Sequence, residues 1–128
     1  MVEQITKGIR VSVDTHFEGS FMKNNETYYA YGYQISITNN SRDTVQLLSR
    51  SWFIFDALNN PERVVGEGVI GKKPVLKTGE THTYSSGCLL KSPFGSMRGY
   101  YIMINFATSE QFKVEIPSFN LNAIHTLN

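Results

Sequence analysis

Tyr29-Ala30-Tyr31-Gly32-Tyr33-Gln34-Ile35-Ser36-Ile37-Thr38 places an aromatic or branched apolar side chain at every second position, with small or polar residues between. A period of two marks a strand with one face on a core and the other in water. The same period precedes it: Ile9, Val11, Val13, Thr15 and Phe17 alternate with Arg10, Ser12, Asp14 and His16. It returns at His82, Tyr84, Ser86, Cys88 and Leu90, which share one face. Further on, Tyr100, Ile102, Ile104 and Phe106 alternate with Gly99, Tyr101, Met103 and Asn105. Phe112, Val114 and Ile116 form a last row, which Pro117 is expected to end because it has no N–H for the ladder. Between Val45 and Asp56 the alternation breaks at Leu47-Leu48. That change of phase predicts a bulge, or a strand covered on both faces.

Turn signals separate these rows. Asn39-Asn40-Ser41-Arg42-Asp43, Asn59-Asn60-Pro61 and Pro93-Phe94-Gly95-Ser96 each reverse the chain. Val64-Val65 reads as a short strand, and residues 66–79, with four glycines and Pro74, read as loop. No segment carries a sustained 3.6-residue apolar stripe. Short strands without crossover helices predict an all-β, antiparallel sandwich, with a partly closed barrel as the competitor. The chain of 128 residues is read as one domain with its core in about 9–121 and loose ends on either side.

Composition narrows the function. Twelve basic residues against eleven acidic ones give a formal charge of +1, too little for a general field toward nucleic acid or an anionic membrane. No apolar run approaches a membrane helix, and the first residues do not resemble a signal peptide. Cys88 is the only cysteine, so no intrachain disulfide forms, and the expected location is the cytoplasm. His16, His82 and His125 stand apart, without metal-ligand spacing. Cys88 and His82 share a strand face but lie roughly 20 Å apart along it. No metal and no cofactor are expected. Neither a nucleophile elbow nor paired carboxylates are present, so no catalytic residue is assigned.

Gly66-Glu67-Gly68-Val69-Ile70-Gly71 matches a dinucleotide fingerprint in letters only. Pro74 stands where the following helix would run, and no strand–helix–strand unit surrounds it. Its glycines are read first as positive-φ turn residues. The alternative is a backbone nest for a small anion, formed by Gly66, Gly68 and Gly71 with Lys72 and Lys73 beside it. Trp52, in Arg50-Ser51-Trp52-Phe53-Ile54-Phe55, is read as a core anchor. Tyr28 is out of phase with Tyr29, Tyr31 and Tyr33 and is expected to be the more exposed.

Several of these stretches, taken in order, resemble one family. Tyr29-Ala30-Tyr31 with Ile35, Ile37 and Asn39, then residues 45–52, then Val65-Gly66-Glu67-Gly68-Val69-Ile70-Gly71-Lys72-Lys73-Pro74 are similar to the ApaG domain. So are Gly79-Glu80, Tyr84-Ser85-Ser86-Gly87, Met97-Arg98-Gly99-Tyr100-Tyr101 and the closing Phe112, Val114, Ile116-Pro117 and Phe119. The likeness runs from about Ile9 to Leu121. It departs from the usual pattern at Asn59–Glu62 and Asn105–Thr108, both in expected turns.

The resemblance implies an immunoglobulin- or fibronectin type III-like sandwich. It also implies a bacterial origin, a genetic association with diadenosine-tetraphosphate metabolism and a link to cobalt and magnesium resistance. Similar domains in eukaryotic F-box and polymerase-interacting proteins imply protein–protein binding, with the partner unknown. The resemblance supplies no catalytic residues. The leading expectation is therefore a noncatalytic binding module. A pyrophosphate or dinucleoside-polyphosphate binder using the glycine loop is the alternative, and a metal-assisted hydrolase the more distant one.

Overall fold

A computed structural model describes residues 1–123. The terminal residues, which include His125, lie outside the described part. The described residues form nine strands: β1 (Val2–Thr6), β2 (Ile9–Lys23), β3 (Glu26–Asn39), β4 (Val45–Asp56), β5 (Glu62–Glu67), β6 (Val75–Leu76), β7 (Thr81–Leu90), β8 (Phe94–Asn105) and β9 (Gln111–Asn122). They build two antiparallel sheets. One runs β1-β2-β3-β7, the other β5-β4-β8-β9, with β6 added beside β4. The expected sandwich is what forms, and its two inner faces make one continuous core.

The period-two rows decide which side chains enter that core. Ile9, Val11 and Val13 of β2 and Tyr31, Tyr33, Ile35 and Ile37 of β3 are all buried. Facing them, β8 buries Tyr101 and Met103 rather than the Tyr100–Ile102 row. Both rows of β8 are apolar enough to serve, so alternation alone could not choose. Trp52 is 3% exposed, and its ring stands edge-on to Tyr33 (5.6 Å) and to Phe119 (5.8 Å). That triangle joins β3 of one sheet to β4 and β9 of the other.

Three local features differ from the sequence expectation. The N-terminal end is not loose: Val2–Thr6 pairs with β2 through a two-residue turn in which Lys7 and Gly8 both have positive φ. Pro117 does not end the last ladder. β9 continues to Asn122, because the pairing with β8 skips register between Met97 and Gly99 and leaves the proline without a bond to make. The turn expected at 93–96 falls earlier, since β8 has already begun at Phe94. The phase break at Leu47-Leu48 is a bulge, with the register shifting between Leu47 and Ser49.

Two buried polar side chains, Asn39 and Asp56, sit at the two ends of the sandwich, and both are hydrogen-bonded. Asn39 is fully buried at the end of β3. Its amide donates to the Asp43 carbonyl (2.8 Å) and the Leu76 carbonyl (2.9 Å). Its oxygen accepts from the Ser41 backbone (3.0 Å) and hydroxyl (2.6 Å). At the opposite end Asp56 accepts from the Ser92 hydroxyl and the Lys91 backbone, both at 2.7 Å. Asn39→Ala removes all four side-chain bonds, takes the Asn39 amide from the Leu76 carbonyl and leaves the Asp43 carbonyl only its longer bond from the Ser41 hydroxyl (3.2 Å). It should cost about 3 kcal/mol of stability, read as a lower urea midpoint with unchanged slope. A loss under about 1 kcal/mol would mean that Asn39 does not hold this corner.

Candidate functional site

The sandwich is closed along one side and open along the other. On the closed side β1 and β2 pack directly on β9, and the Glu115 backbone donates to the Thr6 hydroxyl (3.2 Å). Among the described residues, β5 and β7 make no comparable contact, although they are the facing edges of the two sheets. Between them lies a cavity of about 260 Å³, lined by residues that include Tyr33, Arg50, Trp52, Val64, Ser86 and Cys88.

The bulge in β4 explains the polar wall of this groove. One extra residue at Leu48 moves Arg50, together with Trp52, onto the inner face that Val45 and Leu47 occupy before it, so its side chain points inward at the sheet margin. Its Nη1 donates to the carbonyls of Glu67 (3.0 Å) and Gly68 (2.9 Å). Gly66 sits opposite Arg50 in the β4–β5 pairing, and a Cβ there would come within 2.8 Å of the guanidinium. The absence of a side chain at Gly66 is therefore what admits Arg50.

Deeper in, the Tyr84 and Tyr101 hydroxyls bond each other across the two sheets at 2.5 Å. Burial pushes both phenols above the ordinary tyrosine range, Tyr101 most strongly. Cys88 is a free thiol pushed by burial from 9.0 to about 11, so it is a protonated, packing side chain at neutral pH. Burial, and then the charge of Lys72, lower the pKa of His82. Its Nε2 is buried without a protein partner.

The five loop residues singled out in the sequence do come together, around one tight turn. Val69 and Lys72 exchange two backbone hydrogen bonds, 2.7 and 3.0 Å. Ile70 and Gly71 between them have φ of 48° and 73°, the geometry of a type I′ hairpin turn. Gly68, at φ 61°, donates to the Leu48 carbonyl (2.9 Å), and its α-carbon is pressed against the Lys72 carbonyl. The N–H groups of Gly68, Val69 and Lys72 are thus engaged within the fold, and the Glu67 and Gly68 carbonyls face Arg50. Lys73 is paired with Glu67 at 2.8 Å, and Lys72 is exposed. Sequence reasoning missed Arg50. Carrying the Leu47-Leu48 phase break through to residue 50 would have placed a cation on the core phase.

A two-sheet antiparallel sandwich with this strand order is a fibronectin type III-like domain, here left open along one margin. The family model for the ApaG domain matches residues 19–105. Protein ApaG of Methylobacterium sp. (strain 4-46) is 43% identical over 125 residues, 98% of this chain and 95% of that one. Protein ApaG of Brucella abortus (strain S19) is 43% identical over 122 residues, covering 95% and 93%. An X-ray structure of a Northeast Structural Genomics Consortium target superposes with TM-score 0.85 at 33% identity, over 90% of this chain and 86% of that one. A crystal structure of an ApaA protein from Bordetella pertussis superposes with TM-score 0.79 at 33% identity, over 91% and 94%. The chain belongs to the ApaG family.

Two measurements test this geometry. Gly71→Ala meets open space and should cost only the left-handed backbone penalty, about 1–2 kcal/mol, whereas Gly68→Ala adds a backbone collision and should cost distinctly more. Equal urea midpoints for the two variants would contradict the close approach at Gly68. For Cys88, a two-unit rise leaves about a hundredfold less thiolate than an ordinary thiol at pH 8, so labelling by iodoacetamide should be slower by that order. The native state keeps a proton that the unfolded chain releases near pH 9. The stability this thiol contributes is therefore whole below pH 9 and falls as the pH rises toward 11. Labelling of Cys88 as fast as that of free cysteine would overturn the assignment.

Proposed function

We propose that this ApaG-family chain is a noncatalytic protein-binding module of the cytoplasm, whose partner lies along the open side between β5 and β7. The observation that carries this reading is the pair of sheet edges flanking the groove. Among the described residues each leaves a row of backbone donors and acceptors without a neighbouring strand, and such edges accept an added strand from a partner. Exposed Leu89 (56%) on β7 and Val64 (36%) on β5 line the groove, and Val65 (62%) adds apolar contact on the outer face of the β5 edge. Support also comes from the chemistry in the groove, where the protonated Cys88 thiol and the Tyr33 phenol, both raised by burial, are suited to packing and hydrogen bonding.

On this reading, the cobalt, magnesium and diadenosine-tetraphosphate associations implied by the family resemblance act through the partner. Among the described residues no three His, Cys, Asp or Glu side chains gather to hold a metal ion, so the hydrolase alternative lacks the convergent group it requires. No helix among them is long and apolar enough to cross a membrane.

A second reading places a small anion on the turn at Gly66, Gly68, Gly71, Lys72 and Lys73. It is favoured by exposed Lys72 beside Ile70, a β-branched residue held at positive φ in the exposed tip. The engaged amides of Gly68, Val69 and Lys72 weigh against it. Calorimetry with pyrophosphate and diadenosine tetraphosphate separates the two, since no heat and no thermal shift at millimolar ligand would remove the anion.

The binding-module reading is tested by affinity capture on the immobilised full chain at several salt concentrations, beside Val65→Lys and Leu89→Lys. The expected result is a defined set of proteins retained by the parent and released by both edge variants, each with its native circular dichroism. Background proteins alone at every salt concentration would sink the reading.

A further inference from the structure

The outer face of the β5-β4-β8-β9 sheet, away from the core and the groove, carries an unusual arrangement of charge. Arg63 of β5, Phe53 of β4 and Arg98 of β8 stand in one cross-strand row. Both guanidinium groups lie over the same Phe53 ring, Arg98 at 4.6 Å from its centre and Arg63 at 5.3 Å. In the neighbouring row Tyr100 is also covered by a cation, the Lys113 ammonium reaching diagonally from β9 to 4.2 Å over its ring. Arg63 also reaches the Ser51 and Tyr100 hydroxyls, each at 3.4 Å.

None of these three cations has a carboxylate within ion-pair distance among the described residues. Lys73 and Lys91, by contrast, are paired with Glu67 and Glu26. Two guanidinium groups over one ring repel each other, and among the described residues most of their N–H donors have no acceptor. The positive field is felt locally. The Tyr100 hydroxyl is held below the ordinary tyrosine range, first by its bond with Ser51 and further by the charges of Lys113 and Arg63.

Beside this row lies a cavity of about 330 Å³, lined by Phe53, Phe55, Pro61, Arg63, Ser96 and Arg98 among others. An apolar floor under two forked cations is the shape that takes a carboxylate and an adjoining apolar side chain. The charge is too local for a polyanion. Glu115 lies directly across from Tyr100, and Glu62 lines the cavity, so a run of phosphates would meet carboxylates within the same face.

We propose that this face binds an acidic peptide segment of a partner protein, with a carboxylate held between Arg63 and Arg98 and an apolar neighbour packed on Phe53 and Phe55. The proposal rests on the binding-module reading and names the chemistry of the partner. A carboxylate there relieves the repulsion between the two arginines and fills donors the free protein leaves open, so binding is charge-assisted and sensitive to salt.

The test is fluorescence anisotropy on the full chain with labelled peptides of about ten residues. One contains glutamate and phenylalanine. The second replaces each glutamate by glutamine, the third replaces each by phosphoserine, and a labelled single-stranded oligonucleotide serves as a fourth probe. The glutamate peptide should bind at least tenfold tighter than its glutamine counterpart and weaken steeply between low and high salt. Arg63→Gln and Arg98→Gln should each weaken it about tenfold, and Phe53→Leu should do so less than Phe53→Ser. Circular dichroism checks that each variant is folded. Equal binding of the glutamate and glutamine peptides, preference for phosphoserine or the oligonucleotide, or no effect of either arginine change would each overturn the proposal. If the proteins captured by the immobilised chain are released by the edge variants but ignore Arg63→Gln and Arg98→Gln, this surface fails while the binding-module reading stands.

Discussion

The amide of Asn39 is the point at which the two sheets are tied. At the end of β3 the chain leaves one sheet for the other, and every backbone group at that crossing must find a partner without water. Asn39 supplies most of them, bonding the turn at Ser41 and Asp43 and the short strand β6 through Leu76. Its own backbone bonds Gly79 and Glu80 at the entry to β7. One side chain thus fixes the exit from β3, the placing of β6 against β4 and the start of β7. Only a group with two donors and a two-lone-pair oxygen satisfies all of these at once. Asp56 makes the corresponding corner at the far end with acceptors alone, because there the partners are the Lys91 N–H and the Ser92 hydroxyl.

With both ends pinned, the difference between the two sides follows from side-chain size and charge. On the closed side the apolar rows of β2 and β9 meet, and exposed β1 packs beside them on β9. On the open side the inward phase carries Arg50, Ser86 and Cys88, which are too small or too polar to fill the gap between the sheets. The bulge at Leu48 is the cause of Arg50's position, and Gly66 is its complement. The glycine-rich stretch is therefore bound to the rest of the fold by the arginine it admits.

Much of the sandwich was legible in the sequence, because a half-buried strand must alternate. The rows of β2, β3 and β7 and the burial of Trp52 could be read directly. What could not be read had one of two physical causes. Where both faces of a strand are apolar, as in β8, alternation does not say which row is inside. Where pairing rather than burial makes the strand, as in exposed β1, there is no apolar signal at all. Pro117 misled for a related reason, since its cost to a ladder vanishes at a register skip that sequence does not display. The site was less legible still. The glycine loop announced itself by composition. Arg50 and the Tyr84–Tyr101 bond depend on a bulge and on contact between sheets, and the cation–aromatic rows depend on register across three strands.

The strand order also has a consequence during synthesis. β1, β2 and β3 are consecutive hairpin partners and leave the ribosome as a meander able to pair at once. Their sheet is completed only by β7, which pairs Thr81 with Thr38 and Leu90 with Tyr29 after β4, β5 and β6 have been made. Until then the free edge of β3 has no neighbour, and the row from Ile9 to Val13 and from Tyr31 to Ile37 has only part of its opposite sheet, which β8 and β9 complete later still. The nascent chain passes through an interval in which its most apolar surface and a long bare strand edge are presented together, the condition under which β proteins cross-pair with their neighbours. Closure awaits residues far along the chain, so refolding falls in the slow, millisecond-to-second class set by non-local strand pairing.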